Sequence, residues 1–251
     1  MKYILNMNDQ NQENKNLESL DPAKKKANRH KEIVVAKGPI LIMDMSWGDF
    51  MNEHNQKKVV QQLQIAYAFD KKADLSIPFI FTSVDLTWHQ LFHRVNAFKW
   101  NKNIASFEQK SLLDINIPLE DMIYLTADTD NVCTSVDPTK YYIIGCILDH
   151  NSKKGVTHDF AVQHKIKMER LPIPEYITME GRHVLTINHV AEIMIRVANG
   201  IGWADAFVQT IPSRKLPKKL QDSDNAPIPK KKLKKKDSDN EKPQNTEDSF
   251  W

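Results

Sequence analysis

An α/β domain built on a mostly parallel sheet, covered on both faces, is the fold class this sequence predicts. Three observations predict it. Short apolar, β-branched runs alternate with stretches of helical periodicity between residues 32 and 215. Several of those runs end in polar or glycine-bearing segments, which is how buried parallel strands present chemistry at their C-terminal edge. A hydrophobic content of 41% in 251 residues is enough for a sizeable core.

The elements follow in order. Residues 1–31 are rich in Asn, Gln and Lys and poor in large apolar groups, which predicts a disordered tail with helical tendency near Pro22–Arg29. Ile40–Met43 reads as a strand ending at Asp44, and Val59, Val60, Leu63, Ile65 and Tyr67 are spaced to bury one face of a helix. Pro78–Thr82 is a strand and Trp88–Phe98 a helix. Met122–Leu125 is a strand that runs into the polar turn Thr126–Asn131. The run Tyr141–Leu148 reads as a strand that passes Gly145 and delivers Asp149 and His150. Taken alone, that run fits a core strand with a solvated turn as well as it fits a site. A helix around His158–His164, a short strand Lys167–Leu171 and two helices, Ile187–Ala198 and Trp203–Thr210, complete the domain at residues 32–215. Residues 216–251 form a lysine, proline and aspartate mixture containing KKKLKKK at Lys230–Lys236, read as a disordered tail. Such a run is a solvated tail, or else a nuclear import signal or nonspecific RNA contact.

The net charge of +3 has to be localised before it means anything. Of 35 basic and 32 acidic residues, 11 and 7 fall from Arg214 onward, which leaves 24 and 25 in the rest of the chain. The folded part is therefore nearly neutral, so nucleic-acid binding would need a local basic patch, not a global field. The two cysteines, Cys133 and Cys146, are too few for a disulfide framework and too far apart for a metal knuckle, and they predict reduced thiols in a nuclear or cytoplasmic protein. No apolar run approaches the ~18 residues of a membrane span, and the first residues lack the pattern of a secretory or mitochondrial leader, so no membrane is expected. The seven glycines form neither a GxGxxG turn nor a GxxxxGK[ST] loop. The histidines His150, His158 and His164 lack ligand spacing, and no metal is expected.

Four loop-like segments carry more: YLTADTDN at Tyr124–Asn131, YIIGCILDHNSKKGVT at Tyr142–Thr157, LPIPEYI at Leu171–Ile177 and VLTINHVAEI at Val184–Ile193. DMSWGDFM at Asp44–Met51 precedes them and GWADAFVQTIPSRK at Gly202–Lys215 follows. In this order and spacing they resemble the tRNA purine-9 N1-methyltransferases of the SPOUT superfamily. The resemblance implies a parallel sheet whose C-terminal strands thread a deep trefoil knot, a topology that periodicity does not predict. It also implies that S-adenosyl-L-methionine is the cofactor. Motif by motif, the pocket would take Leu125 and Thr126 from the first loop. Gly145 and the segment Asp149, His150, Asn151, Ser152 and Lys153 would come from the second, with Thr157 beside them. Leu171 would come from the third, and His183, Val184 and Leu185 from the fourth.

The chemistry suits these residue types. Leucines and backbone groups can hold an adenine, and a glycine admits a close approach of backbone to ligand. Asp149 is the catalytic candidate implied by the match: N1 of guanine carries a proton that must leave as the methyl arrives, and a carboxylate can accept it. The same position could also be a turn-capping aspartate. The tRNA would be gripped through phosphates by Lys71, Lys72, Lys153, Lys154, Arg182, Arg214 and Lys215. Where the family has arginines after the equivalent of Tyr67, this chain has Lys71 and Lys72, which lack a bidentate grip. Trp47 and Phe50 read as core side chains, not base-stacking groups. A second departure is Cys146, where the family generally has glycine; a thiol fits if that backbone has a negative φ. The function implied is methyl transfer to N1 of guanine at tRNA position 9, by a protein expected to act as a monomer. The alternatives are a noncatalytic RNA-binding or scaffold subunit of a tRNA-processing complex, and adenine or dual purine-9 specificity.

Overall fold

The computed structural model describes residues 38–148, 155–178 and 185–216. The tail expected at residues 1–31 lies outside the described residues, as do 149–154 and 179–184; of the tail expected at 216–251 only Leu216 is described, and it is buried against the core rather than part of a tail. Six parallel strands form one sheet: β1 (Ile40–Asp44), β2 (Phe79–Thr82), β3 (Ala105–Phe107), β4 (Met122–Leu125), β5 (Tyr141–Gly145) and β6 (Lys167–Glu169). Their spatial order is β3-β2-β1-β5-β4-β6. The helices are α1 (Glu53–Asp70), α2 (Leu86–Arg94), α3 (Val156–Gln163), the single turn α4 (Ile173–Tyr176), α5 (Ile187–Ala198) and α6 (Trp203–Thr210).

Consecutive residues of β1, β2, β4 and β5 are buried, so both faces of the sheet are covered, as continuous apolar runs require. On one side α1 packs against α5, and α5 against α6. The β2–β3 half is filled by aromatic rings: Phe81 stacks on Phe107 at 4.7 Å, and Tyr67 on Trp100 at 4.2 Å. Each such ring contributes about 1.5–3 kcal/mol by leaving water, plus edge and stacking contacts.

Three details differ from the expectations. The fifth strand ends at Gly145, not Leu148, because the backbone turns there: Ile147 N–H bonds the Gly145 carbonyl at 2.9 Å. Ile65 is 53% exposed. It lies two residues from Leu63, about 200° around the helix from it, and so off the buried stripe of Val59, Leu63, Ala66 and Asp70. β3 and α4, three and four residues long, are too short for periodicity to reveal.

The chain moves outward from β1 to β2 and β3, then resumes on the other side of β1 with β4 and β5. That reversal places the switch point of the sheet between β1 and β5, where Asp44 and Gly145 are register partners. In open parallel sheets the crevice outside the strand C-termini at such a point is where ligands bind.

Candidate functional site

Asp44 ends β1 fully buried, and its carboxylate is enclosed by hydrogen bonds. Ser46 donates its backbone N–H at 3.1 Å and its hydroxyl at 2.5 Å to Oδ1, while the Tyr124 hydroxyl donates to Oδ2 at 2.9 Å. Trp47 Nε1–H in turn donates to the Tyr124 oxygen at 3.1 Å. Burial raises the Asp44 carboxyl above its ordinary range, against the lowering effect of the Ser46 and Tyr124 bonds. Burial, then the neighbouring Asp44, pushes the Tyr124 phenol well up. Sequence reasoning missed this network, although Asp44, Ser46 and Trp47 all stand in the DMSWGDFM segment.

Gly145 lies directly over it. A Cβ there would meet Thr157 Cγ2 at 2.8 Å, Tyr124 Oη at 2.9 Å and Trp47 Nε1 at 3.4 Å. Packing within the protein is therefore sufficient reason for a glycine, and it brings together Gly145 and Thr157, near the two ends of one motif. Cys146 is fully buried, its N–H bonds the Asp44 carbonyl at 2.9 Å, and it is not among the positive-φ residues. The condition under which a thiol replaces the usual glycine without strain is met. Burial pushes its thiol well above the ordinary value.

Of the other predicted cofactor residues, Leu125, Thr126 and Leu171 fall along the same edge. Leu125 ends β4 half-buried, and Thr126 follows, its N–H bonded to the Glu169 carbonyl at 3.0 Å. Leu171 is buried past the end of β6, and Leu185, half-buried, precedes α5. Asp149, His150, Asn151, Ser152, Lys153, Lys154, Arg182, His183 and Val184 lie outside the described residues. The described residue that leads into Asp149 is held, however. Leu148 donates its N–H to Met51 Sδ at 3.1 Å and accepts from Asn55 Nδ2 at 3.4 Å. Seven residues along α1, Gln62 Oε1 accepts the N–H of Ile187 at the start of α5 at 2.9 Å. One helix thus touches the backbone both just after β5 and at the start of α5.

The RNA candidates are dispersed. Lys71 and Lys72 are exposed at the far end of α1, whose 18 residues separate them from the site edge by about 27 Å. Arg214 and Lys215 belong to a 3-10 turn after α6, and Lys215 lies near the half-buried His189, whose pKa is lowered by burial. Trp47 is buried as expected, but Phe50 is 45% exposed: the 3-10 turn Gly48–Phe50 carries it to the surface, edge-on to Trp47 at 5.7 Å. Among the described residues no cluster of three or more His, Cys, Asp or Glu side chains could hold a metal, and no helix is long and apolar enough to cross a membrane.

Comparison with known proteins agrees with this arrangement. A family model described as tRNA (guanine(9)-N(1))-methyltransferase TRM10/TRM10A matches residues 4–216. The tRNA methyltransferase 10 homolog A of Rattus norvegicus is 35% identical over 177 residues, 70% of this chain and 52% of that protein. The tRNA (guanine(9)-N1)-methyltransferase of Kluyveromyces lactis is 33% identical over 183 residues, 71% of this chain and 59% of its own. The chain thus spans between half and three fifths of the length of these curated relatives. Among solved structures, full-length spTrm10 in complex with SAH superposes with a TM-score of 0.65 at 29% identity, covering 73% of this chain and all of that one. A dual-specific Trm10 from Thermococcus kodakaraensis shares the fold, with a TM-score of 0.53 at 18% identity over 69% of this chain and 99% of its own. With the family model matched from residue 4 to residue 216, and four of the matching motifs lying at strand ends along one sheet edge, this chain belongs to the TRM10/TRM10A family of tRNA (guanine(9)-N(1))-methyltransferases.

Proposed function

We infer that this chain is an S-adenosylmethionine-dependent tRNA methyltransferase that transfers a methyl group to N1 of the guanine at position 9. The observation that carries this reading is the family match across residues 4–216. It is supported by the superposition on all of spTrm10, a protein crystallised with SAH.

The described residues fit such a cofactor. Leu125, Leu171 and Leu185 offer apolar surface for an adenine, and backbone at Thr126 and Gly145 lies along the same edge. When bound, the cofactor supplies an electrophilic methyl group on a sulfonium that departs as a neutral thioether. The remaining work belongs to the protein. Asp149 takes the N1 proton as the nitrogen's electron pair moves onto the methyl carbon, so charge does not build on the base. Leu125, Thr126, Thr157 and Leu185 set where the methyl carbon stands relative to N1, and this positioning supplies much of the rate. Lys71, Lys72, Lys154, Arg182, Arg214 and Lys215 hold phosphates while the base, buried in folded tRNA, is turned out of its stack. The reading includes a deep trefoil knot in the C-terminal strands, action as a monomer, and a nuclear or cytoplasmic location in keeping with two unbridged, buried thiols.

The test is to treat unmodified tRNA with purified protein and S-adenosylmethionine and map methylated nucleosides by mass spectrometry. 1-Methylguanosine at position 9 is the expected product. 1-Methyladenosine there would move the reading to adenine or dual specificity. An absence of methylation together with an absence of calorimetric binding to S-adenosylhomocysteine would leave the noncatalytic subunit.

A further inference from the structure

The backbone leaving β5 is tied down one peptide at a time. Cys146 N–H bonds the Asp44 carbonyl and Ile147 N–H the Gly145 carbonyl, both at 2.9 Å. Leu148, the last described residue before Asp149, has no strand partner; its N–H goes to Met51 Sδ at 3.1 Å and its carbonyl accepts from Asn55 Nδ2 at 3.4 Å. A thioether is a weak acceptor, seldom chosen for a backbone N–H. Its use here places the Met51 side chain where it satisfies that amide.

We propose that Met51 and Asn55 are positioning residues: by holding both backbone polar groups of Leu148, which belong to successive peptides, they set the direction in which the chain enters the segment beginning with Asp149. The proposal rests on the function inferred above. Neither side chain is assigned contact with the reacting atoms.

Both are themselves fixed, as positioning groups must be. Met51 N–H bonds the Gly48 carbonyl at 3.0 Å, and Gln56 Nε2 donates to the same carbonyl at 3.0 Å. Asn55 sits in the first turn of α1, its N–H accepted by the N-cap Asn52 side chain at 2.9 Å. Gly48 is pressed on Trp88, where a Cβ would come within 3.0 Å of Nε1, and Trp88 Nε1–H donates to the Met45 carbonyl at 2.8 Å. The frame that grips Leu148 is therefore an extension of β1, the strand that also holds Cys146. Cys146 is held by the end of β1 and Leu148 by Met51 and Asn55 around the start of α1, so the backbone is fixed at two points two residues apart, which define both a position and a direction. Methyl transfer in line with an attacking nitrogen is sensitive to both, and a displacement of about 1 Å at a reacting group can cost ~100-fold in rate.

The experiment uses the full chain with three substitutions: Met51→Leu, which keeps volume and removes the acceptor; Asn55→Ala, which removes the donor; and Met51→Gln, which returns an acceptor oxygen at similar reach. Each is measured for single-turnover methylation at saturating tRNA and cofactor, for S-adenosylhomocysteine and tRNA affinity, and for amide exchange in the peptide containing Leu148. Met51→Leu and Asn55→Ala should each slow methylation about 10-fold, with affinities within about 2-fold of the parent and faster exchange at Leu148. Met51→Gln should recover most of the rate. A purely packing role predicts the opposite order, with the apolar leucine tolerated better than the polar glutamine, and that order overturns the proposal. Unchanged rates in both removal variants overturn it too. If the parent does not methylate at all, it is the inferred function that fails. The exchange rates then still decide the clamp: faster exchange in the two removal variants upholds it and unchanged exchange sinks it.

Discussion

The Tyr124 hydroxyl donates to Asp44 Oδ2 across 2.9 Å, at a point where neither residue reaches solvent. The bond joins the ends of two strands that are not neighbours, β1 and β4, beneath the intervening Gly145 of β5. With Trp47 donating to the same hydroxyl, the phenol oxygen is satisfied on both sides and the carboxyl on both oxygens. A buried carboxyl is tolerable only with such a shell, since each orphaned buried polar group costs about 1–3 kcal/mol.

Tyr124→Phe should therefore be far more costly than the loss of one oxygen suggests. It orphans Asp44 Oδ2 and Trp47 Nε1–H together, and a destabilisation of roughly 2–4 kcal/mol is expected. Urea unfolding measures it. A loss under 1 kcal/mol would mean that the network is not needed to sustain the buried carboxyl.

Gly145→Ala tests the packing above that bond. The added methyl would meet Thr157 Cγ2 at 2.8 Å and Tyr124 Oη at 2.9 Å, and overpacking of this kind costs about 1–3 kcal/mol. Thr157→Ser removes the Cγ2 methyl while keeping the hydroxyl. The double variant should regain part of the loss, with a coupling on the order of 1 kcal/mol in a double-mutant cycle. Simple additivity would show that Thr157 is not what the methyl strikes.

Both thiols should be inert in the native protein. Cys146 and Cys133 are fully buried, and burial pushes Cys133, which also faces Glu169, up to about 12. A maleimide titration should find neither thiol in native buffer and both in denaturant. Rapid native labelling of either would contradict the burial.

Much of this was legible from the sequence, and the pattern of what was not is physical. β1, β2, β4, α5 and α6 were foreseen because each is a contiguous run whose periodicity is a local property. The Leu125, Gly145, Thr157 and Leu171 positions came from motif text, and the fold does gather them on one edge. The Asp44–Tyr124–Trp47 network was not foreseen, because its members stand 77 and 80 residues apart and nothing local encodes that pairing. Phe50 was read as core from its residue type, yet its exposure is decided by the 3-10 turn that carries it. Met51 closes the DMSWGDFM segment and Asn55 follows it, but nothing in the sequence marks their role, since a methionine acceptor and an amide donor become meaningful only when a distant peptide lies between them.

Asp70 supplies a pH prediction whose sign can be fixed. It is the last residue of α1 and fully buried, with Oδ1 accepting the Ile77 N–H at 2.8 Å, while among the described residues no group hydrogen-bonds Oδ2. Burial raises its carboxyl from 3.8 to about 7, and the Ile77 and Ser76 bonds only partly oppose this. The folded state thus holds the proton more tightly than the unfolded chain does. The stability this contributes is fully present below about pH 4 and is lost as pH rises towards 7. Asp70→Asn keeps an acceptor for Ile77 and cannot ionise. Its stability relative to the parent should rise by up to about 1.4 kcal/mol per pH unit across that window and level off above it. Between pH 5 and 8 the gap should widen by roughly 2–3 kcal/mol in favour of the variant. Asp44, also raised, titrates alike in both proteins and cancels from the difference. Urea midpoints of the two proteins at pH 5, 6, 7 and 8 measure the effect, and parallel stability curves would show that the Asp70 carboxyl is ionised in the fold at every pH tested.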